Sequence, residues 1–172
     1  MRKIFILIAF LALSFNAQAN EFTAKDLVHN FLAEAIGSQP SSYQDTKKFL
    51  KYFTSDTANL LHKNIKQEYA TCTNTDIIFF SPHKATEKYR IVDETTNNGI
   101  TTIKVKLASL SSGKKGFVVQ QRAAKFIVKN ENGKWLIDDY YDSAWPNSES
   151  FKDTLEESLE QNRNGCYDNP NL

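Results

Sequence analysis

Apolar residues in the first part of the chain recur every three or four positions, which is the spacing of amphipathic helices. Thr23 and Asp26 form a capping box in which a short acid takes the place of the usual Glu or Gln. The positions behind it fall on one stripe: Leu27, Val28, Phe31, Leu32, Ala35 and Ile36. Gly37 and Pro40 then end this predicted first helix.

Two further helical patterns follow. One covers about residues 46–53, and the next begins at Ser55 or Asp56. The predicted inner face of the latter consists of Leu60, Leu61, Ile65 and Tyr69.

From about residue 77 the period changes from helical to alternating, which predicts strands. Asn98-Gly99 is the strongest hairpin signal in the chain. The predicted strands are 77–80, 87–95, a strand after Gly99 in which Ile103, Val105 and Leu107 alternate with lysines, 117–129, and 134–141. Beyond Pro146 an amphipathic helix is indicated by Phe151, Leu155 and Leu159.

This order of elements predicts an α+β fold. We expect N-terminal helices packed in a curved antiparallel sheet that wraps the first helix, with a C-terminal helical extension. The predicted division is a leader over 1–19, one α+β domain over 20–146, and an amphipathic helix with a tail over 147–172.

The first nineteen residues have the order of a secretory signal peptide. Arg2 and Lys3 precede the apolar block 4–15, and Ala17-Gln18-Ala19 forms a small-x-small cleavage site. The block is about a dozen residues long, whereas a membrane helix needs about 20. We therefore expect an exported periplasmic protein that is not embedded in the membrane, with 153 of the 172 residues left after cleavage.

The two cysteines, Cys72 and Cys166, both follow the leader. In an oxidising compartment an even count indicates one disulfide, although two unpaired buried thiols remain the alternative. No histidine lies at ligand spacing from either cysteine, and we expect neither a metal site nor another cofactor.

The residues Gly133-Lys134-Trp135-Leu136-Ile137 follow a G-x-W-x-I pattern that resembles the closing strand of nuclear-transport-factor-2-like (NTF2-like, also cystatin-like) domains. The resemblance spans about residues 22–145 and extends to secreted bacterial envelope proteins of uncharacterised function. It implies a cone closed by this strand, with the aromatic residue near the first helix. Because this fold is found in both enzymes and binding proteins, the resemblance does not assign a function.

Charge is divided unequally along the chain. Residues 100–136 carry a balance of +7 and residues 137–172 a balance of −7. Four lysines occupy alternate, non-core positions of neighbouring strands, and we expect them on one sheet face: Lys104, Lys106, Lys125 and Lys129. Like charges opposite one another are unfavourable, so this face should have an anionic counterpart. That counterpart is either the acidic terminal helix, solvent ions alone, or an outside partner such as an acidic protein or an anionic envelope ligand.

Acid–base chemistry is the competing hypothesis. NTF2-like enzymes place an Asp with a Tyr or His in the cone, and alternation from Ile137 puts Asp139 and Tyr141 on the face of the cone. No motif places a histidine or a second carboxylate beside them. The sequence thus predicts a non-enzymatic binding or accessory protein, with an immunity protein against a periplasm-delivered toxin as one version. A small isomerase or dehydratase of the ketosteroid-isomerase type is the alternative. Nucleic acid is not expected as a partner, because no aromatic platform interleaves the lysines.

Overall fold

Helices and one four-stranded antiparallel sheet form the part of the chain that the computed structural model describes, namely residues 22–38, 43–67, 88–113, 116–143 and 149–163. The elements in chain order are α1 (Ala24–Ser38), α2 (Tyr43–Thr46), a 3₁₀ helix (Lys47–Tyr52), α3 (Ser55–Gln67), β1 (Lys88–Asn97), β2 (Ile100–Gly113), β3 (Gly116–Glu131), β4 (Lys134–Asp142) and α4 (Phe151–Arg163). The predicted α+β class and the antiparallel order of strands are confirmed.

The first helix begins at its predicted capping box. The Thr23 hydroxyl accepts a hydrogen bond from the Asp26 amide at 3.2 Å, and the Asp26 carboxylate accepts one from the Thr23 amide at 2.9 Å. Apolar residues on one stripe are buried, among them Val28, Phe31 and Leu32. The helix contacts all four strands of the sheet.

The second predicted helix is in the expected place but has a different winding. A single α-helical turn, Tyr43–Thr46, continues as the 3₁₀ helix Lys47–Tyr52. Phe53 then adopts an extended conformation and forms a parallel bridge with Ile137 of β4. This bridge fixes the start of α3 against the sheet.

The strands follow one another in the sheet in chain order, β1-β2-β3-β4. Two tight turns set the register of the outer pairs. Asn98 and Gly99 have φ angles of 51° and 77°, and Asn132 and Gly133 have 54° and 83°. Two consecutive residues with positive φ are the signature of a type I′ hairpin, which Asn98-Gly99 predicts and which Asn132-Gly133 also adopts.

Each outer strand contains an irregularity that moves its register by one residue. In β1 the shift lies between Ile91 and Asp93, opposite β2. In β4 it follows Ile137, since Val128 pairs with Ile137 while Ile127 pairs with Asp139. Such bulges change which face of the sheet the following side chains occupy.

One face of the sheet and the helices enclose a core that is rich in aromatic rings. Phe31 of α1 lies at its centre, with ring centroids between 5.6 and 6.2 Å from those of five other rings: Phe49, Tyr52, Phe53, Phe126 and Tyr140. The terminal helix belongs to the same core, because the Phe151 ring stacks on Tyr140 at 4.7 Å and on Phe53 at 5.4 Å. These edge-to-face and stacked contacts are geometries that aromatic pairs favour.

Some predictions lie outside the described residues. These are the leader 1–19, the strand 77–80, Tyr69, and both cysteines, Cys72 and Cys166.

Candidate cationic face of the sheet

Three of the four predicted lysines stand together on the face of the sheet that points away from the core. Lys104, Lys106 and Lys125 are exposed, whereas their neighbours Ile103 and Val105 are buried. The predicted alternation of core and non-core positions is therefore found in β2 and β3. We call this surface the cationic face.

One row of side chains crosses all four strands of this face. Asp93, Lys104, Lys125 and Tyr141 are successive register partners from β1 to β4. The Lys104 ammonium lies 2.8 Å from the Asp93 carboxylate, and the Lys125 ammonium lies 3.8 Å from the centroid of the Tyr141 ring. The Lys104 hydrogen bond lowers the pKa of Asp93. Two lysines placed directly opposite each other are thus compensated on their outer sides by an anion and by a π-face.

The neighbouring row carries two more cations. Arg90 of β1 and Lys106 of β2 are direct register partners, and Lys88 lies two residues before Arg90 on the same side of the strand. All three are exposed. Within the described residues none of these three cations has an ion-pair partner. Sequence reasoning did not include Lys88 and Arg90.

A groove of about 490 Å³ lies between the two rows. Its lining includes the lysines 104, 106 and 125 and the side chains of Val92, Ala123 and Tyr141. Val92 is the extra residue of the β1 bulge and is 43% exposed. Ala123 is the register partner of Lys106, and its small side chain leaves the depression open. A second groove of about 390 Å³, on the other side of Lys106, includes Lys88 and Arg90.

Lys129 belongs to a different cluster. Its ammonium lies 2.9 Å from the carboxylate of Asp138, which also accepts hydrogen bonds from Lys152 at 2.8 Å and from the Thr54 hydroxyl at 3.1 Å. Burial alone would raise the pKa of Asp138, but the bonds from Lys152 and Lys129 outweigh it and lower that pKa. The Asp138 carbonyl oxygen accepts a further bond from the Thr57 hydroxyl. Lys129 therefore ties β3 to Asp138 of β4, and the same carboxylate joins β4 to the starts of α3 and α4.

Asp139 and Tyr141 do not share the core face with Ile137, and the alternation predicted for them is wrong. The bulge at Asp138 reverses the faces, so that Tyr140 is buried in the core and Tyr141 lies on the cationic face. The Asp139 carboxylate accepts hydrogen bonds from the amides of Tyr140 at 2.9 Å and Lys152 at 3.1 Å. Burial raises the pKa of Asp139. Its position at the first turn of α4 is that of an anion at a helix N-terminus.

The polar side chains that do face the interior are Arg122 and Asp142, neither of which the sequence predicts as a site residue. The Arg122 guanidinium, from the middle of β3, and the carboxylate of Asp142, the last residue of β4, are both buried and lie 3.4 Å apart. Burial lowers the pKa of Arg122, and burial raises that of the neighbouring Tyr140 well above its ordinary value. Alternation with Ala124 and Phe126 would have placed Arg122 on the inner face.

The described residues contain no cluster of His, Cys, Asp and Glu that could hold a metal ion. His29 instead lies 2.8 Å from the Tyr89 hydroxyl, through its Nδ1, and this contact links α1 to β1. Among the described helices none is long and apolar enough to cross a bilayer.

No family model matches the chain, and no curated protein matches it. Among solved structures, the chain is similar to a Campylobacter jejuni protein described as an NTF2-like transpeptidase, with 14% identity and a TM-score of 0.38 over 66% of this chain and 94% of that one. It is also similar to the intermembrane space region of the chloroplast protein ARC6, with 9% identity and a TM-score of 0.42 over 71% of this chain and 95% of that one. The first neighbour carries the fold description that the sequence resemblance predicts. At these identities and TM-scores, neither likeness carries a conclusion about function.

Proposed function

We propose that this protein is a non-enzymatic binding or accessory protein of the bacterial periplasm, which holds an anionic partner on the cationic face. The observation that carries the proposal is the division between the two faces of the sheet. Aromatic rings pack the inner face around Phe31, whereas exposed cations stand in adjacent rows on the outer face. An immunity protein against a toxin delivered to the periplasm is the specific version that suits a small exported protein.

The arrangement of the cations supports this proposal energetically. Arg90 faces Lys106, and Lys104 faces Lys125, across neighbouring strands. A like-charge pair in direct opposition is unfavourable by up to about 1 kcal/mol. Asp93 and the Tyr141 ring offset part of this repulsion for Lys104 and Lys125. An anion bound between the rows would relieve this repulsion, so the same residues that weaken the free sheet would strengthen the complex.

The cationic face is lined by the sheet itself. The groove residues come from β1, β2, β3 and β4, while α4 packs on α3 and on the Phe53–Tyr140 side of the core. This placement favours an outside partner over the terminal helix as the anionic counterpart.

We infer cleavage after Ala19, a Cys72–Cys166 disulfide, a domain over 20–146 with the extension 147–172, and a sheet that curves around α1 as a cone. The bulges in β1 and β4 support the curvature, because a bulge bends its strand and increases local twist.

The alternative, an isomerase or dehydratase with Asp139 as base and Tyr141 as donor, is less well supported. Asp139 has the raised pKa that a base requires, but its carboxylate accepts two backbone amides at the start of α4. Tyr141 lies beneath Lys125 on the opposite side of the sheet from the core.

Charge reversal on the cationic face tests the proposal. The tagged protein would be exported with its own leader in a Gram-negative host and purified from the periplasm, alongside the variant Lys104→Glu/Lys106→Glu/Lys125→Glu. Lys129 stays unchanged because it pairs with Asp138. We expect co-purifying acidic proteins to be lost from the triple variant and retained by Lys63→Glu, an exposed lysine of α3.

An identical set of co-purifying partners for all three proteins would contradict the proposal. Circular dichroism of each variant would establish that the change in charge had left the fold intact.

A further inference from the structure

We propose that the cationic face binds an extended acidic polypeptide segment and seats one of its apolar side chains in the groove at Ala123. This inference rests on the proposed function and names the chemistry of its partner. It extends the site to Lys88, Arg90 and Val92.

The surface is continuous across the sheet. Lys106 lines both grooves, so the two adjoin and together make one strip with residues from Lys88 on β1 to Tyr141 on β4. Four strands span about 14 Å, which is three strand spacings of about 4.8 Å. A strip of this length accommodates several residues of an extended chain rather than one small anion.

An apolar floor lies between the cations. Val92, Ala123 and the Tyr141 ring contribute apolar surface to the larger groove, and the lysines 104, 106 and 125 stand around it. The β1 bulge leaves Val92 and Asp93 both on this side of the sheet, so an apolar side chain is added beside the Asp93–Lys104 pair. A charged rim around an apolar centre is the organisation of protein–protein interfaces.

The cations alone do not select between anions. Four of the five are lysines, which bind carboxylates and phosphates alike as point charges, and the guanidinium fork of Arg90 fits either group. The apolar floor makes the distinction, because a segment rich in Asp and Glu can carry an apolar side chain beside its charges, whereas a polyphosphate chain cannot. The groove therefore favours an acidic polypeptide.

Binding of defined polymers tests the inference. Isothermal titration would compare poly-L-glutamate, a random copolymer of glutamate and tyrosine, and inorganic polyphosphate, matched in charge, at fixed ionic strength. We expect the copolymer to bind about tenfold more tightly than poly-L-glutamate, which corresponds to burial of one aromatic side chain, about 1.4 kcal/mol.

Three variants assign the binding to the groove. Lys106→Glu should weaken binding of the copolymer at least tenfold, while the control Lys63→Glu should change that affinity less than twofold. Ala123→Leu should fill the groove at this position. The affinity for the copolymer should then fall to the affinity for poly-L-glutamate, and the affinity for poly-L-glutamate should stay unchanged.

Three results would overturn the inference. These are tighter binding of polyphosphate than of the copolymer, binding to phosphatidylglycerol vesicles without binding to the copolymer, and a reversible dimer in sedimentation velocity that Lys106→Glu abolishes while the copolymer fails to bind.

If the triple lysine variant still abolished polyphosphate or vesicle binding, the proposed function would stand and only the acidic polypeptide would be wrong. If no probe responded to the triple variant, both proposals would fail.

Discussion

At the scale of single residues, Asp138 connects the sheet to two helices through one carboxylate. Lys129 from β3, Lys152 from α4 and Thr54 before α3 all bond to it. The Asp138 side chain is 12% exposed. If its carboxylate were removed, water could therefore replace few of the bonds that Lys129, Lys152 and Thr54 make to it.

Replacing this carboxylate should destabilise the protein. We expect Asp138→Ala to lower the free energy of unfolding by about 2 kcal/mol, since hydrogen bonds to charged groups contribute about 1.5–3 kcal/mol. Urea denaturation at pH 7 measures the change. The matched control is Asp93→Ala, whose ion pair with Lys104 joins side chains that are 44% and 57% exposed, so solvent screens it and its loss should change the free energy of unfolding far less. Equal losses for the two variants would contradict the role given to Asp138.

The same carboxylate predicts a pH dependence. The pKa of Asp138 is lowered in the folded protein, so its stabilisation is complete above the unfolded pKa and is lost as pH falls through the lowered folded value. The wild-type protein should therefore lose more stability than Asp138→Asn between pH 6 and strongly acidic pH. Denaturation midpoints at a series of pH values measure this, and parallel curves for the two proteins would refute it.

Phe31 is the second residue whose removal we expect to be costly. Its ring meets five others in the core, and Phe31→Ala should cost about 3–5 kcal/mol. Phe22, which is 48% exposed, provides the control, and Phe22→Ala should change stability by less than about 0.5 kcal/mol. Thermal melts of both variants would show whether the ring of α1 holds the helix to the sheet.

At the scale of elements, two glycines test the local geometry with opposite signs. Gly99 has φ of 77° and Gly37 lies in α1, and a Cβ at either position would meet nothing within 4 Å. Gly99→Ala should cost about 1 kcal/mol through backbone strain alone, whereas Gly37→Ala should be neutral or stabilising by up to about 1 kcal/mol. Stability changes of the same sign at the two positions would contradict this account.

The elements themselves could be predicted from sequence because each has a local signal. The capping box at Thr23, the Asn-Gly turns and the spacing of Phe151 and Leu155 all act within a few residues. The bulges have no such local signal. A strict two-residue turn at Asn98-Gly99 would pair Ile91 with Lys106, an inward residue with an outward one, and a shift of one residue resolves the conflict.

The bulge in β4 likewise resolves a conflict of register, and it moves Asp139 off the face that alternation predicts for it. The turn at Asn132-Gly133 in strict register would place buried Phe126 opposite Asp139, whereas the bulge brings Tyr140 there. The sequence signal for this bulge is that strict register would set the buried Phe126 opposite a carboxylate. The signal appears only when β3 and β4 are compared, because alternation within β4 alone does not reveal the conflict.

At the scale of the whole molecule, the cationic face could be predicted in part. The lysines of β2 and β3 follow from alternation within each strand, but Arg90 enters the face only through its register with Lys106. The same alternation predicts Lys129 on this face, but its ammonium pairs with the carboxylate of Asp138 on β4. Alternation within a strand predicts which face a side chain occupies, but it does not predict which residue of a neighbouring strand that side chain contacts.

Export and disulfide formation are predictions at this scale too. Mass spectrometry of the periplasmic protein should give a chain that begins at Asn20 and is two mass units lighter than its fully reduced form, with no thiol that reacts with iodoacetamide. Cys72→Ser/Cys166→Ser should lower stability by about 2–4 kcal/mol. An uncut N-terminus or two reactive thiols would contradict the predicted compartment.

The stacking of Phe151 on Tyr140 and Phe53 has a practical consequence for anyone shortening the chain. A fragment that stops at Ser143 would leave both rings uncovered, together with the apolar neighbours of Leu155. Such a fragment should precipitate or bind hydrophobic dyes at concentrations where the longer chain remains dispersed, so the last helix has to be retained in any minimal version.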